Sequence, residues 1–396
     1  MSRTARTFLV LVLFAIGTSL ITPLIPIYKR ELGFSDTVVT LFLVCYVIAL
    51  VPSMLTLGQL SDRVGRKPVL AAAIATLALA QVVLITQPQL LAILIARALQ
   101  GAATGAFFGT CTAFLVEQTR PARRGQVATL SSVSVRGGLA LGPGLGGLFA
   151  EYLPEPLRLP FAVHLGGLAI ALVILWALPE TVTPGPRRPL KLRLEVPAAE
   201  RAVFWRVLVP SGMLFSLFDG VCLAIVPVFE VQDLGVTNYA LVGAAGFLVL
   251  MSGAISQLVF RHLAPTPAIG WGLVIACVCF VGVVVGAPLH SATIVLSAVT
   301  LTGAACGLVF KGGIDLATRI APPADRGKLI SSYYVACYLG GFSLPLLIVG
   351  ILADIMGRTL ALGVLVAAAA VATAWTWFVG LRALDRLSPH ASRLHA

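Results

Sequence analysis

The chain has 396 residues and a formal net charge of +12; 58% of its residues are hydrophobic and 11% are charged. Soluble globular domains carry about 25% charged residues, so this composition leaves too little polar surface for a fold dissolved in water. A bilayer must be the solvent for most of the chain. We attribute the positive charge to the loops of a membrane protein and not to nucleic-acid binding.

Apolar runs of about 20 residues, the length that a hydrocarbon core requires of a helix, follow one another along the chain. They predict twelve transmembrane helices, at residues 7–28, 38–60, 69–87, 90–116, 126–150, 160–178, 206–230, 239–260, 267–287, 291–318, 328–352 and 359–381. We therefore expect an all-α membrane protein built from two pseudo-symmetric six-helix bundles.

One long polar interruption separates the sixth predicted helix from the seventh. Residues 181–205 are rich in proline and basic side chains, which is typical of a linker. The predicted organisation is an N-terminal bundle at 1–180, this cytoplasmic linker, a C-terminal bundle at 206–382 and a polar cytoplasmic tail at 383–396.

Lysines and arginines are unevenly divided between the two sides of the membrane. If the N-terminus is cytoplasmic, cytoplasmic segments hold 21 of them and external loops hold 4. The positive-inside rule then places both termini in the cytoplasm. We expect a monomer that crosses the cell inner membrane many times.

The second half of the chain repeats the first. A shift of 202 residues places Leu99 on Leu301 and Gly105 on Gly307 without a gap. Two parallel repeats are a transporter architecture, with the substrate site at their interface. A receptor or a single-site membrane enzyme has no physical need for such a repeat.

The loop after the second predicted helix reads G-Q-L-S-D-R-V-G-R-K and contains Gly58, Asp62, Arg63, Gly65 and Arg66. This pattern resembles the signature loop of the major facilitator superfamily, and the resemblance implies a gating loop that latches against the second half. Gly58 is expected to permit a close helix approach. The alternative is a basic loop that only fixes the topology.

The fourth predicted helix carries Arg97 within R-A-L-Q-G, similar to the R-x-x-Q-G motif of the same superfamily. An arginine this deep in the bilayer is costly unless it faces a cavity or a partner. Arg97 belongs either to the coupling machinery or to a structural arrangement with backbone carbonyls of helix one, and both alternatives stay open.

The fifth predicted helix carries Gly138, Gly142, Pro143, Gly146 and Gly147. Their spacing resembles the pattern associated with antiporters of the superfamily, and the resemblance implies efflux. Small residues allow tight helix contact, and a proline frees a carbonyl and kinks the helix. Generic glycine-mediated packing is the alternative.

The first predicted helix contains Gly17, Pro23 and Pro26, which is similar to a pattern of the twelve-helix drug:proton antiporters. This helix departs from some members of that family in one respect. It has no acidic residue between Phe8 and Tyr28 to bind a proton.

Ionisable residues inside predicted helices are functional candidates by default, and here they are Asp219, Asp315, Arg97, Arg136 and Lys311. Asp219, in helix seven, is the first choice for a proton carrier, because a carboxylate shielded from water can bind a proton near physiological pH. The alternative is an ionised Asp219 paired with Arg97 or Arg136. Lys311 and Asp315 share one helix face and form either a structural or a switchable pair.

Aromatic residues of several predicted helices are candidates for the wall of a substrate cavity, although such residues also serve in packing. They are Tyr46, Phe107, Phe108, Phe215, Phe218, Tyr334 and Tyr338. The sequence contains neither a nucleotide-binding loop nor a metal-ligand spacing, so we expect no cofactor, no metal and no enzymatic activity.

These observations predict a secondary active efflux transporter that exchanges protons for amphipathic, drug-like molecules by alternating access. Helix ends near Glu151 and Asp354 are expected to close the side opposite the Asp62 loop. A dedicated exporter of one metabolite, siderophore, sugar or lipid precursor is the alternative. A non-transporting membrane sensor or enzyme is a third interpretation.

Overall fold

The computed structural model describes residues 2–87, 89–182, 194–322 and 325–384, and these residues are nearly all helical. The all-α fold is therefore confirmed. Parts of the predicted linker (183–193) and of the predicted tail (385–396) lie outside the described residues.

The helices of the first half are α1 (Arg3–Ser19), α2 (Ile25–Leu32), α3 (Asp36–Val64), α4 (Arg66–Thr86), α5 (Leu90–Glu117), α6 (Arg124–Tyr152) and α7 (Leu159–Trp176). Those of the second half are α8 (Arg201–Val203), α9 (Val209–Gln232), α10 (Tyr239–Val259), α11 (Pro265–Gly286), α12 (Ala292–Ile320), α13 (Arg326–Gly341), α14 (Leu344–Met356) and α15 (Arg358–Trp375).

Each of the twelve predicted spans overlaps a helix, and eleven helical stretches of the described chain are long and apolar enough to cross a membrane. The first combines α1 with α2, and another combines α13 with α14. Helix α6 is long enough, with 29 residues, but Arg136 and its many small or polar residues make it less apolar than the other spans.

Contacts divide the described chain into two compact units. The first unit comprises Met1–Phe34, Leu41–Leu192 and Thr237–Phe247, and the second comprises Ser35–Thr40, Arg193–Val236 and Leu248–Ala396. The second unit therefore includes the first turn of α3, and the first unit includes the beginning of α10.

An apolar core fills the first unit, in which α1 packs against α6 and α7 while α4 packs against α5 and α7. Phe14 of α1 stacks on Phe107 of α5 with ring centroids 3.7 Å apart. In the second unit α9 packs against α12 and α13, and α11 packs against α12 and α15.

The same close helix contact occurs once in each unit. A Cβ atom on Gly101 of α5 would lie 1.9 Å from the carbonyl oxygen of Tyr46 in α3. A Cβ atom on Gly303 of α12 would lie 2.1 Å from the carbonyl oxygen of Val249 in α10. Only glycine permits these approaches, and the two glycines correspond under the 202-residue repeat.

Candidate functional site

The motif loop between α3 and α4 is organised around Arg66, which is 8% exposed. Its guanidinium forms ion pairs with Asp62 at 2.6 Å and with Glu117 of α5 at 2.8 Å, and it donates to the hydroxyl of Ser61 at 2.6 Å. A buried arginine needs such partners because its charge has lost its hydration. The motif therefore ties the end of α3 to the end of α5.

Glu180, just beyond α7, caps the start of α4. Its carboxylate accepts hydrogen bonds from the backbone N–H groups of Arg66 at 3.0 Å and Lys67 at 2.9 Å, where a helix presents unsatisfied donors and partial positive charge. Burial raises the pKa of Glu180, but backbone donors, including those of Thr181 and Val182, lower it further, so the net pKa lies below its usual value.

Gly65 makes this capping arrangement possible. Its φ of +102° is a backbone conformation that side chains disfavour. A Cβ atom there would also lie 2.7 Å from Oε2 of Glu180. The family-like glycine is therefore required both by the turn and by the carboxylate that seals it.

Two further contacts fix the motif loop within the first unit. The ammonium group of Lys67 donates to the carbonyl of Leu178 at 2.6 Å, and the hydroxyl of Thr181 donates to Glu117 at 2.6 Å. Arg63 is half-buried. The close helix approach expected at Gly58 is absent here, because a Cβ atom there would meet none of the described residues within 4 Å.

Arg97 is buried and satisfied by oxygens of the first unit. It donates to the carbonyls of Phe42 at 3.1 Å and Thr18 at 3.0 Å and to the side-chain oxygen of Gln100 at 2.6 Å. Its guanidinium also lies 4.7 Å from the ring centroid of Tyr46. These contacts correspond to the structural alternative, and they place Tyr46 under a cation.

The glycine motif of α6 has one face against α1. A Cβ atom on Gly142 would lie 2.3 Å from Oγ of Ser19 and 2.5 Å from the carbonyl oxygen of Ile16. Pro143 has no N–H to donate to the carbonyl of Leu139 one turn earlier, and Ser19 donates its hydroxyl to that carbonyl at 2.6 Å. The freed carbonyl that the proline predicts is thus satisfied by a neighbouring helix.

A second face of α6 lies against the beginning of α10. A Cβ atom on Gly147 would lie 2.5 Å from the carbonyl oxygen of Tyr239 and 2.7 Å from Cα of Gly243. Glu151, one turn further along α6, accepts a hydrogen bond from the backbone N–H of Tyr239 at 2.7 Å. Gly138 makes a similar close contact with α1, and Gly146 makes one with Leu20 and Pro23, which follow α1 in the chain.

The predicted intramembrane charges are placed in different surroundings. Asp219 is 3% exposed on α9, and Arg136 is half-buried on α6. Lys311 forms an ion pair with Asp315 at 2.8 Å and donates to the carbonyl of Leu263 at 2.5 Å. The pair expected from the spacing of Lys311 and Asp315 is therefore formed.

Five aromatic side chains form a continuous row in the second unit, in which Phe215 is buried and the other four are half-buried. The ring centroids are 5.4 Å apart for Phe215 and Phe310, 5.9 Å for Phe310 and Tyr334, 6.3 Å for Tyr334 and Tyr338, and 6.0 Å for Tyr338 and Phe342. The structure thus groups three predicted cavity residues with two that the sequence did not single out. We call these five side chains the aromatic row.

Three other predicted cavity residues have packing roles. Phe107 is fully buried against Phe14, and Phe108 meets the edge of the same ring at 5.8 Å. Phe218 is 1% exposed and packs against Phe280. Phe107 and Phe218 are thus buried against other rings in this conformation, and their place in a cavity wall stays a prediction.

A polar cluster joins several helix ends of the second unit. Asp354 of α14 accepts hydrogen bonds from the backbone N–H groups of Asp36 at 2.7 Å and Thr37 at 2.9 Å, so it caps α3. Arg358 pairs with Asp36 at 3.0 Å and with Asp233 at 2.5 Å. We call these five residues, together with Gln232, the Arg358 cluster.

The sequence drew attention to Asp354 and not to its partners. Asp36, Asp233 and Arg358 are short polar interruptions at predicted helix ends, and they read as ordinary loop residues. Glu180 was missed for the same reason. The one sequence feature that these sites share is a charged residue at a helix end. The sequence does not show its partner, which lies far away in the chain. Among the described residues, no His, Cys, Asp and Glu side chains group closely enough to hold a metal ion.

Comparison with known proteins supports a transporter. The family model of the Major Facilitator Superfamily matches residues 7–345. The chain is 30% identical over 184 residues to the class C tetracycline resistance protein of Escherichia coli, covering 45% of each protein. It is 28% identical over 286 residues to the cephamycin export protein CmcT of Amycolatopsis lactamdurans, covering 68% of this chain and 54% of that protein.

The match to the quinolone resistance protein NorA of Staphylococcus aureus is 20% identical and covers 69% of this chain and 71% of that protein. Among solved structures, a bacterial homolog of the human lysosomal transporter Spinster, in an inward-facing and unoccupied conformation, aligns with a TM-score of 0.82. That alignment has 14% identity and covers 98% of both chains, so it shows the fold.

The chain spans about half the length of the tetracycline and cephamycin relatives that it matches. The superfamily match, by contrast, covers most of the chain and includes the motif loop, Arg97 and the glycine face of α6. This chain belongs to the Major Facilitator Superfamily and is a multi-pass membrane transporter.

Proposed function

We propose that this transporter exports amphipathic small molecules across the inner membrane in exchange for protons, by alternating access. The observation that carries the proposal is the α6 motif. Gly142 and Gly147 lie in contact with α1 and α10 on opposite sides of the helix, and Pro143 is accommodated by a hydroxyl from α1. The antiporter-like pattern thus has a defined structural role in the first unit. Relatives named for resistance and export support the efflux direction.

The aromatic row supports the proposed substrate class. Four of its five rings are half-buried, so they combine an apolar surface with partial access. Flat amphipathic molecules bind such surfaces by stacking, which adds to the hydrophobic contribution of the buried area. The hydroxyl groups of Tyr334 and Tyr338 would orient polar substituents of the substrate.

Asp219 is the proposed proton carrier. It is the more deeply buried of the two acidic candidates, at 3% exposure. Asp315 is already neutralised by Lys311, and its side chain is 36% exposed. A buried carboxylate changes its charge at a cost that depends on access to water, so alternating access can drive its protonation and release.

The gating loop is proposed to act on the cytoplasmic side. Asp62, Arg66 and Glu117 hold it in a single conformation within the first unit. Helix ends near Glu151 and Asp354 would close the external side, where both carboxylates cap the start of another helix. Each side would then open by breaking a small set of hydrogen bonds and ion pairs.

The experiment compares Asp219→Asn with the unchanged chain in proteoliposomes, with tetracycline as probe and an imposed pH gradient. We expect the variant to lose transport driven by the gradient but to keep exchange of labelled for unlabelled tetracycline, because the substrate site is intact. Asp315→Asn is the control and should retain tetracycline transport driven by the pH gradient. Undiminished pH-driven transport by Asp219→Asn would refute its role as carrier.

A dedicated exporter of one compound is the second candidate. The match to a protein named for cephamycin export, over 68% of this chain, favours it. Competition separates the two candidates. Unrelated amphipathic compounds should all inhibit tetracycline transport by a multidrug exporter, whereas a dedicated exporter responds to one chemical class.

A further inference from the structure

Glu230 is a deeply buried acid that belongs to none of the sequence motifs and takes no part in the proposed proton transfer by Asp219. It lies in the last turn of α9 and is 2% exposed. No donor from the described residues forms a hydrogen bond to its Oε2 atom. An ionised carboxylate is strongly destabilised in such a setting, which favours the neutral acid.

The residues next to Glu230 in the chain are mostly apolar. Val226, Val228 and Phe229 on the same helix are fully buried. The other titratable residues of α9 are Asp219 and Cys222, and Asp233 follows the last residue of the helix. Asp219 lies eleven residues earlier, about 16 Å along the helix axis, whereas Asp233 lies three residues later on an adjacent turn.

Charged groups of the neighbouring elements fall into two sets. Those close to the end of α9 are Asp36 of α3, Asp354 of α14 and Arg358 of α15. The charged groups of α12 and α13 belong to helices that meet α9 near its beginning. Phe310 of α12, next to Lys311, contacts Phe215, and Tyr333 of α13 lies against Gly212. Helix α11 contributes the thiols of Cys277 and Cys279 and no charged side chain.

Arg358 is the cation of the cluster, and it is already paired with the carboxylates of Asp36 and Asp233. It donates to Asp233 at 2.5 Å and to the side-chain oxygen of Gln232 at 2.5 Å, and its Nε atom lies 3.0 Å from Asp36. The oxygens of Asp354 are likewise occupied by backbone donors of α3. The assembled Arg358 cluster therefore leaves no positive charge for Glu230.

We propose that Glu230 is a second proton-binding site of the transport cycle, occupied by a proton while the Arg358 cluster is assembled. When the first turn of α3 separates from α14 and α15, Arg358 loses Asp36 and water reaches the end of α9. The O–H bond of Glu230 then breaks, its proton passes to water, and the carboxylate left behind is stabilised by Arg358.

The reverse step links protons to closure. The Glu230 carboxylate takes up a proton from water and becomes neutral. It then no longer attracts Arg358, which returns to Asp36. This proposal rests on the proposed proton exchange and adds a site at the helix end to the carrier in the middle of α9.

The first test measures the protonation state without transport. Infrared spectra of the reconstituted chain at neutral pH should contain the C=O band of a protonated carboxyl group, and Glu230→Gln should lose one component of it. Asp219→Asn should keep that component. Identical carboxyl bands in the unchanged chain and in Glu230→Gln would overturn the proposal, whether or not any compound is transported.

The second test uses the thermal stability of the same variants. Gln imitates the neutral acid, so Glu230→Gln should unfold at the same temperature as the unchanged chain at neutral pH. Asp233→Asn, which removes a charged partner of Arg358, should unfold at a lower temperature. A clear destabilisation by Glu230→Gln would show that the carboxylate is ionised, and it would contradict the proposal.

The third test concerns coupling. With tetracycline as probe, Glu230→Gln should keep substrate exchange and lose its response to an imposed pH gradient. An unaltered response would overturn the role in the cycle. Absence of tetracycline transport by the unchanged chain is a different result, because it tests the proposed function and leaves the infrared measurement valid.

Discussion

Three basic side chains that the sequence singled out bind oxygens of the unit that carries them. Arg66 is held by two carboxylates, Arg97 by two carbonyls and an amide oxygen, and Lys311 by Asp315 and a carbonyl. Removing one partner of a buried ion pair typically costs about 3–5 kcal/mol, because the other charge stays desolvated. We therefore expect Glu117→Gln to destabilise the first unit more than loss of an exposed ion pair would.

Glu180 gives a residue-scale prediction about pH. Its folded-state pKa lies below the ordinary value of 4.5, so the ionised form stabilises the fold. This contribution is fully present above the ordinary pKa and is lost as the pH falls towards the folded pKa. Glu180→Gln should therefore lower the unfolding temperature at neutral pH.

The same variant should be less sensitive to acid. As the pH falls from neutral through the ordinary value of 4.5 towards the lower folded-state pKa, the unfolding temperatures of Glu180→Gln and the unchanged chain should converge, because the stabilising carboxylate becomes protonated. Circular dichroism melts in detergent at several pH values measure the difference. A constant difference over this range would contradict the capping role of the charged carboxylate.

At the element scale, the position of α6 depends on glycines at two faces. Gly142 brings the helix against the backbone of α1, and Gly147 brings it against the backbone of α10. Close backbone contact of this kind is a major source of helix association in a bilayer, where apolar side chains gain little by leaving lipid. Small residues therefore replace the long apolar side chains that the other spans contain.

Gly142→Ala tests this packing. The added Cβ atom would lie 2.5 Å from the carbonyl oxygen of Ile16, so α6 or α1 must shift, at a cost of about 1–3 kcal/mol. Gly109→Ala on α5 is the matched control, because its Cβ atom meets none of the described residues within 4 Å. The control should be neutral or stabilising by up to about 1 kcal/mol.

Thermal unfolding of both variants in detergent gives the comparison. A Gly142→Ala variant as stable as the control would show that α6 has room to move, and the packing argument would be wrong. This comparison does not depend on transport, since the unfolding temperature reports only on helix packing.

The sequence predicted the helices better than it predicted the contacts between their side chains. Each span predicted from hydropathy overlaps a helix, and glycine spacing predicted which face of α6 carries small residues, because both are local properties of the chain. Neither could show that Ser19 satisfies the carbonyl freed by Pro143, or that Glu180 caps a helix that begins 114 residues earlier. Such pairs require knowledge of which helices are neighbours.

The aromatic candidates illustrate the same limit. Helical periodicity places Phe107 and Tyr334 within spans but cannot distinguish a ring buried against Phe14 from one in a half-buried row. Only the packing of α5 on α1 and of α12 on α13 decides this.

At the scale of the whole molecule, the two units share one repeated helix contact but contain different candidate functional residues. Both have the glycine contact that joins α5 to α3 and α12 to α10. The first unit contains the motif loop and the glycine faces of α6. The second contains Asp219, Glu230 and the aromatic row. The proposed cycle assigns gating and helix contact to the first unit and proton and substrate binding to the second.

Proton movement against substrate tests this account most directly. The purified chain is reconstituted in liposomes that enclose a pH-sensitive dye, and a tetracycline gradient is imposed with no initial pH difference. We predict that tetracycline moving in one direction drives protons in the other, and that Asp219→Asn abolishes the dye response. Tetracycline flux with no proton movement, or with protons moving in the same direction, would contradict proton antiport.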